Sequence, residues 1–144
     1  KTPYKLHMSA NISTMGKKNK TYPGLYLQVS PEEIMIGGGA YELEKDEINK
    51  IRNYILNNHK ELKKIYSDKT FESLFGDVRG ESNKKLNPEH KALEATEPLI
   101  ANKQFYYMAT IDADVATKPG FDKLIMKYYK AGKKMNEFVI EAMK

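Results

Sequence analysis

Lys5 and His7 lie two residues apart in a stretch, Tyr4 to Ser13, in which apolar and polar residues alternate. Side chains alternate across a β-strand, so both would project from one polar face, with Ser9 and Asn11 beyond. Tyr26 and Gln28 share the polar side of a second run, Leu25 to Val29, and Lys17, Lys18 and Lys20 sit in the connection between the two. An ammonium and an imidazole converging with a phenol and an amide suit a phosphate or a carboxylate. A histidine there could also act as general acid or base near neutral pH. The competing reading is a solvated sheet face and a solvated loop, which the same residue types satisfy.

Other chemistry-bearing residues carry weaker signals. Gly37-Gly38-Gly39 precedes a helix, but no Gly-Lys-Ser/Thr follows and the dinucleotide spacing is absent. Glu42, Glu44, Asp46 and Glu47 come next and would repel a phosphate at that helix N-terminus. A bulge or a close backbone approach explains the glycines better. His59 and His90 have no partner at metal-ligand spacing. Asp112 and Asp114 could form an acid pair or a hard-metal site, although aspartates after a strand are usually turn formers. With no cysteine, thiolate chemistry and disulfides are excluded. No cofactor is expected from any of these patterns.

The positioning elements follow from periodicity. Tyr4–Ser13, Leu25–Val29 and Ile34–Ile36 read as consecutive antiparallel strands, the third running into the glycines. Leu43–Asn58 is an expected helix, followed by a short one around Leu62 to Tyr66 and another over Phe71–Phe75 that Gly76 stops. Pro88–Ala101 is a helix broken at Pro98. Lys103–Ile111 alternates as a fourth strand, with Phe105, Tyr107, Ala109 and Ile111 on one face. Phe121 to Tyr129 and Met135 to Ala142 then read as two C-terminal helices separated by Ala131-Gly132. Most of Tyr106, Tyr107, Tyr128 and Tyr129 fall at core spacing. The fold class is a single α+β domain, an antiparallel sheet of about four strands covered by helices.

The chain has 144 residues, 40% of them hydrophobic, enough for one core. No apolar run approaches the ~20 residues that span a bilayer, so no membrane partner is expected. Residues 1–31 contain Lys1, Lys5, Lys17, Lys18 and Lys20 and no acid, while residues 32–144 hold 19 bases and 19 acids. The net charge of +5 is therefore local to the first hairpin and could attract an anion. Only Arg52 and Arg79 are arginines, which argues against sequence-specific nucleic-acid reading. The lack of cysteine favours a reducing, cytoplasmic compartment. The start at Lys1, inside a strand, implies residues upstream and leaves a leader open.

Lys1-Thr2-Pro3-Tyr4-Lys5 with His7, Gly24-Leu25-Tyr26-Leu27, the triple glycine and Ile51-Arg52 resemble a microbial family known as domain of unknown function 2461. Pro98 to Tyr107, Tyr128-Tyr129-Lys130-Ala131 and Asn136-Glu137-Phe138 resemble its later part, so the likeness runs through the whole chain in order. Many members carry a tryptophan after the glycines; here Tyr41 is the nearest aromatic. The resemblance implies an α+β fold lacking its N-terminal part and brings no activity, substrate or cofactor. The leading expectation is a module that binds a small anion on the first strands through Lys5, His7, Lys17, Lys18, Tyr26 and Gln28. One alternative is an enzyme using His7 as acid or base, with Asp112 or an upstream residue as its partner. The other is a protein-interaction scaffold presenting a sheet face or edge.

Overall fold

A computed structural model describes residues 8–12 and 24–144. Strands β1 (Met8–Ile12), β2 (Leu25–Val29), β3 (Glu33–Ala40) and β4 (Phe105–Asp112) form an antiparallel sheet in the order β1-β2-β3-β4. Helices α1 (Lys45–Tyr66), α2 (Lys69–Phe75), α3 (Pro88–Glu94) and α4 (Phe121–Ala142) complete an α+β architecture, with 3-10 turns at Pro98–Ala101 and Ala113–Thr117. Register pairs Leu27 with Ile36 and Ile36 with Ala109. Leu25, Ile34, Ile36, Phe105, Tyr107 and Ala109 are thereby buried on the helix-facing side. Tyr26, Met35, Tyr106, Met108 and Thr110 fall on the other side, where Tyr41 packs edge-on against Tyr106.

The third strand does not stop at the glycines. It continues through them to Ala40, with Gly37, Gly38 and Gly39 opposite Met108, Tyr107 and Tyr106. The reason is close approach. A Cβ on Gly38 would lie 2.5 Å from the Tyr107 hydroxyl and 2.6 Å from the Gly24 carbonyl. Tyr107 is buried against Phe71 and Phe75 of α2, with ring centroids 5.2 and 4.7 Å away. Its hydroxyl points into α4, within 2.7 Å of Asn136 Oδ1 and 3.0 Å of the Gly132 carbonyl. Asn136 Oδ1 also accepts from the Gly39 N–H at 3.0 Å. Burial pushes the Tyr107 hydroxyl well above the usual phenol range.

The expected division into two C-terminal helices is corrected. α4 runs unbroken through Ala131-Gly132, because a glycine in a helix interior costs only ~1 kcal/mol. Here its missing side chain makes room for the Tyr107 ring. The helix expected to end at Asn58 and the one expected near Leu62 form the two halves of α1, which meet at Asn58, where the backbone leaves helical geometry (φ −137°, ψ 23°). The Asn58 and Asn57 side-chain amides donate to the Tyr54 and Asn53 carbonyls at 2.9 and 3.2 Å. They satisfy acceptors near the kink, so the chain bends without ending the helix. Glu47 accepts from the Glu44 N–H at 2.8 Å at the start of α1, and α2 ends at Gly76 (φ 75°).

A polar shell holds the long connection to β4. The Arg52 Nη2 donates to Asn83 Oδ1 (2.7 Å) and to the carbonyls of Ala101 (3.1 Å) and Asn102 (3.2 Å). No carboxylate pairs with it among the described residues, and burial lowers its pKa. The Tyr66 hydroxyl donates to the carboxylate of buried Glu97. Burial, that hydrogen bond and the carboxylate charge push its pKa up to about 12. His90, 1% exposed, meets Asn53 Oδ1 at 2.9 Å through Nε2, which puts its proton on that nitrogen.

Two sets of variants test this packing. Asn136→Ala would strand the Gly39 N–H and remove one of the two acceptors of the Tyr107 hydroxyl, and should cost about 1–3 kcal/mol by urea unfolding. Gly132→Ala would ordinarily gain ~1 kcal/mol in a helix interior. Here the added methyl meets the Tyr107 ring, and we expect a loss of about 1–3 kcal/mol; a stabilised variant would contradict the packing. His90 supplies a pH test. Burial and the Arg52 charge lower its pKa, with Glu89 opposing more weakly. The unfolded chain then binds this proton more readily than the folded one. The His90 contribution is therefore complete above the unfolded value of about 6.5 and is lost as the pH falls below it. His90→Gln should flatten the stability profile between about pH 7 and 5 relative to the parent.

Candidate functional site

Of the residues the sequence singles out for ligand binding, Lys5, His7, Lys17 and Lys18 lie outside the described residues. Tyr26 and Gln28 do share one face of β2, and they engage each other: the Tyr26 hydroxyl donates to Gln28 Oε1 at 2.6 Å. The pair opposes Gly37 and Met35 of β3. Asp112 Oδ1 lies 3.3 Å from the Asp114 N–H at the start of the 3-10 turn, which is turn chemistry. Among the described residues no cluster of histidines and carboxylates could hold a metal ion.

The described residues do form an open groove of about 1070 Å³ between α1, the start of α2 and α4. Its wall on α4 carries Lys123, Lys127, Lys130 and Lys134, and Lys64 faces them from α1. The spacing i, i+4, i+7, i+11 brings the four onto one helix face. It is the solvent-side counterpart of the apolar stripe that buries Tyr128, Met135, Phe138, Val139 and Ala142. All five lysines are exposed. None forms an ion pair or hydrogen bond with a described residue.

That row is electrostatically unfavourable for the helix alone. Successive like charges at i+3 and i+4 each destabilise a helix by roughly 0.2–0.5 kcal/mol. Lys123 also lies in the first turn of α4, where the helix dipole disfavours a cation. Asp68, beside the lysines, is already committed: its carboxylate caps α2, accepting from the Thr70 and Phe71 N–H groups at 3.1 and 3.2 Å.

The rest of the groove differs in character. Ile65, Ala131 and Phe138 supply apolar lining, and Phe138 packs edge-on against Tyr54 at 5.0 Å. Glu61, Glu137 and Glu141 also line it. Burial first, then the charges of Glu61 and Glu141, raise the Tyr54 pKa. The groove thus offers cations towards the start of α4, some apolar lining, and Tyr54 with the carboxylates Glu61, Glu137 and Glu141 elsewhere in its lining. Such an arrangement can attract and orient an anion; it contains no nucleophile–base pair. The sequence reading missed it because the apolar period of α4 drew attention to the buried side. The lysine spacing, legible in the same segment, is the signal that marks the other.

No curated protein and no solved structure matches the chain. A family model does, over residues 1–138, under the description Conserved hypothetical protein (DUF2461). The likeness noted at Lys1–Lys5, at the glycines of β3 and along α4 thus extends over nearly the whole sequence, and the chain belongs to this family, domain of unknown function 2461.

Proposed function

We propose that the protein is a binding module for a small anionic, phosphate- or carboxylate-bearing ligand, and that the lysine side of the α1–α4 groove is its seat. The observation that carries this reading is the set of five exposed lysines around one concavity with no ion-pair partner among the described residues. An anion placed among them relieves their mutual repulsion and meets several cations at once. The acid-free first hairpin, with Lys5, His7, Lys17 and Lys18, is a second candidate seat for the same class of ligand, supported by the net +5 over residues 1–31.

A thermal-shift titration with inorganic phosphate, pyrophosphate and simple carboxylates separates the two. A ligand at 100 times its Kd adds ~2.7 kcal/mol to the native state, a shift of several degrees. We expect that shift to shrink with added salt and to be lost in Lys127→Ala/Lys130→Ala, while Lys5→Ala/His7→Ala retains it. The reverse pattern would move the seat to the hairpin. Equal binding in both double variants would remove both assignments.

A further inference from the structure

The groove is more than a cluster of cations, and its composition restricts the ligand. We infer that it takes a free amphipathic anion: one phosphate or carboxylate head carried on an unbranched apolar body. This rests on the anion-binding reading above and adds the body and the single head. Three observations support it, and each uses a different part of the groove.

The head belongs among the five groove lysines, Lys64, Lys123, Lys127, Lys130 and Lys134, which have no ion-pair partner among the described residues. The body belongs on Ala131, half-buried, and on the edges that the largely buried Ile65 and Phe138 present to the same cavity. Met126, 49% exposed, adds a flexible apolar side chain at the rim that adapts to an irregular apolar ligand.

The far end decides the charge count. Tyr54 closes it with its ring against Phe138, and the charges of Glu61 and Glu141 act on its hydroxyl. Glu137 lines the same cavity. A second anionic group reaching that end would meet carboxylates at close range. A polyanion extended along the whole of α4 is disfavoured for the same reason. The groove therefore discriminates by length and by the number of heads.

The test is a calorimetric titration of the intact chain with inorganic phosphate, butyl, hexyl and octyl phosphate, all below their aggregation limits, and with octane-1,8-bisphosphate. Affinity should rise about two- to fourfold per added methylene, and the bisphosphate should bind more weakly than octyl phosphate. Ala131→Gln should abolish the chain-length dependence. Met126→Gln, at an exposed position that folding does not need, should reduce it. If phosphate binds and the alkyl chain adds nothing, the apolar inference is overturned and the anion seat stands. If none of the compounds binds, both fall. A chain-length gain that persists in Lys127→Ala/Lys130→Ala and in Ala131→Gln would place the binding elsewhere and overturn the inference. So would binding to vesicles of an anionic phospholipid without binding to any monomeric alkyl phosphate, which would make the ligand a membrane surface.

Discussion

The burial of the Tyr107 hydroxyl is the constraint on which the other packing depends. A phenol removed from water must find a partner, and this one reaches Asn136 and the Gly132 carbonyl of α4. Asn136 in turn takes the Gly39 N–H. One side chain therefore fixes β4, β3 and α4 relative to one another, and its ring supplies the surface on which Phe71 and Phe75 seat α2. Glycine at positions 38 and 132 leaves the space that the ring occupies. The triple glycine is thus a packing device inside a strand.

Fixing α4 fixes what its other side presents. Once the stripe containing Met135, Phe138 and Val139 is committed to the core, the register flanking it is left at the surface, and that register carries the lysines. The kink at Asn58 redirects the second half of α1, so that Glu61, Lys64 and Ile65 line the same groove. Packing in the interior and charge at the surface are consequently two readings of one helical period. The asymmetry of the groove, cations towards the start of α4 and Glu137 and Glu141 later along it, follows from the order of residues along α4.

The buried polar groups away from the groove serve a different purpose. Arg52 holds Asn83 and two backbone carbonyls of the segment leading into β4. His90 and Glu97 are each met by one neutral side chain, Asn53 and Tyr66. The connection buries Val78, Ile100 and Ala101 in the core, and hydrogen bonds to helix α1 secure its polar backbone and side chains beside them. A buried guanidinium or carboxylate without an opposite charge is expensive. That expense is tolerated where the alternative is an unanchored loop beside the core.

Local pattern was enough for the alternation of β2 and β4, the stop at Gly76 and the break before Pro98, because these are set by side-chain period and backbone chemistry within a few residues. Family membership was legible for the same reason, in short runs spread along the chain. The fate of the glycines and of Ala131-Gly132 was not. Both look like breaks locally, and only the arrival of Tyr107 from a distant strand turns them into the places where elements can touch. Arg52, His90 and Glu97 read as ordinary helix or surface residues until tertiary contacts bury them. The lysine row was visible as spacing, but a row of charges on a helix is a solvated face unless a second element stands opposite. Whether α1 does so is decided by the kink at Asn58 and by the Tyr107 pin, which act across the fold and leave no periodic trace in the sequence.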